Sequence, residues 1–485
     1  MDLKRQLVVV ILGRLVTACI TLASLRIATA FLTPEHYGVL ALLVSIQSFF
    51  GLFLINPVGQ HINLHTHAWW DDGSLSPRLK SFGGFVLVVS IIGGIAAVIT
   101  IPKDGSEPLP YVFIAIFSLV AAGTWNATLV PMLNMLGFRT DSVIYSVLSA
   151  LISLIFGVLF ISWMPTATFW VLGQSVGMLL GALGAGAALR KHINPNAKSA
   201  TKLPLLNSKD ILGYCVPIAI ANGFMWLQLS GYRFEITHFW GLTQLGYIAI
   251  GLQIAGQIGG LVEALASQFL FPMFYRRCSQ NDNKDEVSLA LSDLANTLAP
   301  LYVLLVGAII AGGPYLIRVL VSANYHNAVD YVVFGAFIEL FRLLANLFGI
   351  SAHIMRRIRF LAAPYAVGAI CSLLLLALAG LWQLPARFAV FSLLAGSCVT
   401  LFGMWIYTRQ YIKLAIDWRR WLIASAWMIF LPLTAHFILP AAETGNSIVI
   451  LVLIGIASVP LTAIILYKNP AAIRLINVDV RKTVP

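Results

Sequence analysis

Apolar stretches follow one another along this chain almost without interruption, parted by short clusters rich in Pro, Gly, Asn and Asp. Pro102-Lys103-Asp104-Gly105 and Glu443-Thr444-Gly445-Asn446 are two such breaks. A helix of about 20 apolar residues crosses a hydrocarbon core roughly 30 Å thick. The pattern therefore predicts transmembrane helices over residues 7–32, 36–59, 80–101, 109–133, 141–164, 166–189, 210–232, 243–273, 290–312, 328–352, 359–381, 386–408, 420–439 and 446–467. The expected fold class is an all-α polytopic membrane protein of about fourteen spans.

The placement of Lys and Arg tests that count. With a cytoplasmic N-terminus, the inner segments hold 24 of the 31 Lys and Arg, and the outer segments hold only Lys103, Arg233, Arg318 and Arg387. Basic residues are retained on the cytoplasmic side, so both termini are expected to be cytoplasmic. Composition agrees: 59% of residues are hydrophobic and 10% charged, against about 25% charged in a soluble domain. Mean hydropathy is +0.88. No long soluble stretch carries a catalytic domain, and a non-enzyme is expected. The net charge of +12 sits in short loops, which excludes nucleic acid as the partner.

Five cysteines (Cys19, Cys215, Cys278, Cys371, Cys398) show no CxxC spacing, so neither a disulfide framework nor a zinc site is expected. Ala28-Thr29-Ala30 has the shape of a signal cleavage site. Arg14 and Arg26 precede it and another apolar run follows at once, so the first helix is expected to be retained.

The second half echoes the first. Tyr37-Gly38-Val39-Leu40-Ala41-Leu42 opens span two, and Leu245-Gly246-Tyr247-Ile248-Ala249-Ile250 opens span eight, 208 residues later. At the same offset Gln60 matches Gln268. Arg26 and Arg233 each stand near the outer end of the first helix of their half. The expected organisation is an N-terminal lobe over 1–205, ending in a basic linker, a second six-helix lobe over 206–408, and two more helices with a basic tail over 409–485. Six helices per lobe make the repeat parallel, and such repeats are a signature of transporters that expose a midplane cavity to each side in turn.

Charge inside the bilayer costs about 2.5–3.5 kcal/mol at the helix centre on insertion scales, so Arg14, Arg26, Arg342, Glu263 and Glu339 need a reason to be there. Glu339 and Arg342 are spaced i,i+3 and can pair on one helix face. Arg14 and Arg26 can snorkel to an interface or face a cavity. Glu263 has no basic residue near it on its own helix; Arg14 and Arg233 are its candidate partners. Gln47, Asn56 and Gln60 on span two, with Gln253, Gln257 and Gln268 on span eight, either bond neighbouring helices or line a wet, sugar-compatible cavity. Arginine in both lobes favours a phosphate-bearing substrate, since the planar guanidinium donates two hydrogen bonds at once. His61, His65 and His67 lack the acidic or thiol company of a metal site, and with Trp69 and Trp70 read as an interfacial helix end. Gly181, Gly184 and Gly186 read as close helix packing. No nucleotide-binding motif appears, and no metal or resident cofactor is expected.

Leu32-Thr33-Pro34-Glu35-His36-Tyr37-Gly38, after an arginine-bearing first helix, resembles the polysaccharide transporters: the Wzx-type lipid-linked oligosaccharide flippases of the multidrug/oligosaccharidyl-lipid/polysaccharide (MOP) superfamily. Asn134-Met135-Leu136-Gly137-Phe138-Arg139, and His353-Ile354-Met355-Arg356-Arg357 at the matching place in the second half, extend the resemblance. It implies a MATE/MOP-like fold in the bacterial inner membrane. It implies an undecaprenyl-pyrophosphate-linked glycan as substrate, with membrane lipids and polysaccharide-assembly proteins as partners. It implies Arg14 and Arg26 as cavity residues and Na⁺ or H⁺ as coupling ion, with Glu263 the deep acidic candidate. Alternatives are a lipid II flippase, a drug/cation antiporter of the same superfamily and, further off, a membrane-embedded glycan polymerase.

Overall fold

A computed structural model describes residues 3–102, 107–192, 208–279, 284–354, 361–439, 444–467 and 469–476. Most of the basic linker, the Met355-Arg356-Arg357 stretch and the end of the basic tail lie outside the described residues. The described chain is helical throughout: α1 (Leu3–Phe31), α2 (Pro34–Phe49), α3 (Asn56–Asp71), α4 (Leu75–Thr100), α5 (Leu109–Met135), α6 (Arg139–Trp163), α7 (Ala167–His192), α8 (Ser208–Trp226), α9 (Tyr232–Ser279), α10 (Lys284–Leu320), α11 (Val329–Ile354), α12 (Ala362–Leu381), α13 (Arg387–Tyr411), α14 (Trp418–Ile438), α15 (Thr444–Leu466) and α16 (Pro470–Ile476).

Thirteen helical stretches among the described residues are long and apolar enough to cross a membrane. One of them, Ile211–Cys278, is 68 residues long, about 100 Å at 1.5 Å per residue, which is far more than one crossing. Gly241 breaks it, with φ 81° and ψ 171°, a conformation open to glycine and strained for other residues. The two arms either side of that break correspond to predicted spans seven and eight.

Local chemistry accounts for the ends. Thr33 caps α2 by accepting from His36 N, with Pro34 in the first turn and Glu35 beside it. Gly137, at φ 93°, closes α5 before α6 begins. Two helices are joined to their continuations through π-helical turns, Phe50–Ile55 between α2 and α3 and Leu227–Gly231 between α8 and α9.

The chain groups into two compact units, Met1–Gly246 and Tyr247–Pro485. This division falls later than the basic linker, because α8 packs on α3 and on the turn Phe50–Ile55. In the first unit α6 and α7 are the most intimate pair. Gly181 lies against Ser149 and Asn126, and Gly184 against Tyr145. In the second unit α12 and α13 meet the same way, Gly368 facing Thr400 and Gly396 facing Ser372. There α14 and α15 pack on α10 through Ala311, Tyr315, Leu431, Ala435, Ile450 and Ile454.

The repeat has a local counterpart in space. A methyl group added at Gly38 would collide with the carbonyl oxygen of Leu242, and one at Gly246 with the carbonyl oxygen of Pro34. Gly38 and Gly246, like Pro34 and Leu242, are 208 positions apart. Each opening turn thus packs on the other through the same pair of positions.

Candidate functional site

In the first unit a polar seam joins α2 to α8 and the start of α9. Asn222 Nδ2 donates to the Leu52 carbonyl at 3.0 Å. Trp226 Nε1 donates to the Ser45 carbonyl at 2.9 Å and to Ser48 Oγ at 3.1 Å. Arg233 Nη1 donates to the Ala41 carbonyl and to Ser45 Oγ, both at 3.0 Å. Asn222, Trp226, Ser230 and Arg233 follow one helical stripe, and the π-helical turns re-aim it, a frequent device at functional sites.

Arg233 therefore has neutral oxygens for partners. Its Nε is buried and makes no hydrogen bond, and no carboxylate pairs with it among the described residues. Two positions on, Glu235 is half-buried, with Oε2 likewise unpartnered among the described residues. The sequence reading missed Glu235 because it closed span seven at residue 232. It missed Asn222 and Trp226 as well, although their i,i+4 spacing was there to be read.

The other candidates scatter. Arg14 and Arg26 are exposed on α1, and Arg14 makes no hydrogen bond or ion pair among the described residues. Gln60 is exposed and donates to Asn56 Oδ1 at 2.6 Å, so these amides satisfy each other along one helix. Gln47 is half-buried on α2.

The second unit holds an ionic chain. Arg342 donates from Nε to Glu339 Oε2 at 2.8 Å and from Nη2 to Glu339 Oε1 at 2.6 Å. The same Nη2 reaches Glu263 Oε2 at 2.9 Å. Asn346 Nδ2 donates to Glu263 Oε1 at 2.9 Å, and Tyr365 OH to Asn346 Oδ1 at 3.0 Å. The partner of Glu263 is thus Arg342 on α11, in place of Arg14 or Arg233, because α9 and α11 approach closely where Gly259 faces the Glu339 carboxylate. Two carboxylates share one guanidinium, and the cluster is one negative charge in excess when all three are ionised. On the same helix as Glu263, Gln253 is exposed, while Gln257 and Gln268 are half-buried; Gln257 Oε1 is unpartnered among the described residues.

Comparison with known proteins gives these clusters a setting. The family described as "Polysaccharide biosynthesis protein" matches residues 27–330. The chain belongs to this family. No curated protein sequence matches it. Among solved structures, this polysaccharide biosynthesis protein is similar to the lipid II flippase MurJ in an inward closed conformation, at TM-score 0.66 and 12% identity, over 96% of this chain and 99% of that one. It is also similar to an inward-facing multidrug resistance MATE family transporter of the MOP superfamily, at TM-score 0.57 and 15% identity, over 81% of this chain and 94% of the other. At such identities the likeness speaks to fold: a multi-pass membrane protein with the MOP transporter architecture.

Proposed function

We propose that the chain is a flippase that moves an undecaprenyl-pyrophosphate-linked oligosaccharide from the cytoplasmic to the periplasmic leaflet by alternating access, for surface polysaccharide synthesis. The observation that carries this reading is Arg233, a guanidinium within a membrane-crossing helix whose hydrogen-bond partners among the described residues are all uncharged. A half-buried cation without a counterion inside a span is costly, and a transported anion can supply the missing charge. Pyrophosphate suits its planar fork, whereas a cationic drug would be repelled. Trp226, Asn222, Ser45 and Ser48 add the mixed aromatic and hydroxyl surface that a sugar needs. Membership of a polysaccharide biosynthesis family and a transporter fold point the same way.

Coupling belongs to the Glu263–Arg342–Glu339 cluster on this reading. Its surplus carboxylate charge suits Na⁺ or H⁺, and occupancy by either would relieve the repulsion between the two acids. Membrane lipids and polysaccharide-assembly proteins are the partners.

Deletion of the gene, with mass spectrometry of lipid-linked glycans, tests the reading. Accumulation of one undecaprenyl-linked repeat unit is expected, reversed by the native chain and not by R233A or E263Q at equal protein level. Accumulation of lipid II would assign the chain to cell-wall precursor transport. An unchanged glycan-lipid pool with altered drug sensitivity would overturn the proposal.

A further inference from the structure

The chain from Pro34 to Asp71 is one helical run of 38 residues, about 57 Å long at 1.5 Å per residue. A hydrocarbon core of roughly 30 Å covers little more than half of it. Its far end, α3, therefore stands at or beyond the headgroups, at the end of the first unit where α5 meets α6. Trp70 packs on Phe138 of that connection, and Phe138 stacks on His192 at the end of α7. Arg78, Lys80, Arg139, Arg190 and Lys191 all lie at this end.

On α3 the rings form a ladder. His61 and His65 are 4.4 Å apart, and His65 stacks on the buried Trp69 at 5.3 Å and 16°. Tyr214, from α8, closes on His61 at 5.7 Å. Arg78, in the first turn of α4, lays its guanidinium over the Trp69 ring, 4.4 Å from the centroid. His65 Nδ1 lies 2.9 Å from the His61 carbonyl, and this bond fixes the ring.

Arg78 is the unexplained member. Its Nε is buried without a hydrogen-bond partner, and it forms no ion pair among the described residues. The acid at the α3–α4 turn, Asp72, accepts instead from Ser74 N at 2.8 Å. Hydrogen bonds from Ser74 hold the Asp72 carboxyl below its ordinary value, with Arg78 adding to the effect. A guanidinium seated over an indole is held in place, and its planar fork can donate to two oxygens of one anion. The less buried rings beside it, His61, His65 and Tyr214, suit a pyranose, which has an apolar C–H face and a polar edge.

We propose that Arg78, Trp69, His65, His61 and Tyr214 form a docking site for the phosphate-linked sugar head of the lipid substrate, outside the membrane core and separate from Arg233. The proposal rests on the transport reading above and adds a first station at the basic end of the first unit. The site grips phosphate through Arg78, seated on Trp69, and the first sugar through His61, His65 and Tyr214, while the lipid tail stays in the bilayer.

The test uses the full chain in phosphatidylethanolamine nanodiscs, without native cysteines, carrying an environment-sensitive fluorophore on L64C, an exposed position next to His65 on α3. Undecaprenyl pyrophosphate is expected to change the signal, and undecaprenol is not. R78A should weaken the response at least tenfold. R78Q keeps a planar group over Trp69 and serves where R78A fails to accumulate. An R78A or R78Q response equal to wild type overturns the docking site and leaves the transport reading standing if the native chain still rescues glycan export. An equal response to phosphatidylglycerol shows a general anionic-lipid site and also overturns it. A deletion strain with an unchanged glycan-lipid pool overturns both.

Discussion

Arginine survives inside a membrane span when something answers its charge, and the two spanning arginines that the structure ties most firmly are answered differently. Arg342 is held by Glu339 and Glu263; Arg233 meets carbonyls and a hydroxyl. Their substitutions should therefore separate. R342A strands two carboxylates beside each other, one of them buried, and breaking such a pair costs about 3–5 kcal/mol. The expected result is a sharp fall in yield and in detergent melting temperature. R233A removes a cation that no acid pairs with among the described residues, so protein level and melting temperature stay near wild type while transport fails. The Glu339–Arg342 contact was legible from i,i+3 spacing, and Asn346 continues the same face. The Glu263–Arg342 contact was not, because it joins residues 79 apart in sequence, and apolar patterning says which face of a helix is polar without saying which neighbour that face meets.

Among elements, the departures from ideal helix carry the information. Regular spans were predictable from their length and apolar content, and the break before span eight from the charge pattern around it. The π-helical turns Phe50–Ile55 and Leu227–Gly231 were not predictable, since one extra residue in a turn leaves an apolar pattern apolar. They nonetheless decide which side chains of α2 and α8 face each other. The crossing of the two opening turns depends on the glycines. G38L or G246L forces a side chain into a backbone carbonyl that has no rotamer with which to move aside. Overpacking of this kind costs about 1–3 kcal/mol. Each substitution is expected to lower the melting temperature measurably in the purified protein, whereas leucine at Gly84, where nothing stands within 4 Å, leaves it unchanged.

At the largest scale, polarity of the first unit's two ends is the feature with the widest reach. At one end of the first unit Glu107, buried at 5% exposure, accepts from Ala167 N at 2.8 Å and from Thr168, and lies 3.3 Å from His36 Nδ1. It thereby pins α2, α5 and α7 together. The opposite end carries the Arg and Lys of the loops, with Arg78 among them. In the second unit the buried Asp293 of α10 accepts from Arg277 at 2.8 Å and from Arg474, which fastens α16 to α10. The basic end is expected to face the cytoplasm. Single cysteines in a cysteine-free chain check this: D141C should resist a membrane-impermeant maleimide added to intact cells, and E35C should react. The reverse pattern would turn the proposed direction of transport around.

The mutual seating of Gly38 on Leu242 and of Gly246 on Pro34 has the form of an isologous contact, the kind found across the axis of a two-fold dimer. Each surface is at once the donor and the receiver of the close approach. Pro34-Glu35-His36-Tyr37-Gly38 and Leu242-Thr243-Gln244-Leu245-Gly246 share only their last residue, yet they meet one spatial requirement. A chain in which the two pentapeptides trade places keeps a glycine opposite a carbonyl on both sides. The junction is thus written in two positions per turn, and the residues between them are free to serve other ends, as His36 does at Glu107.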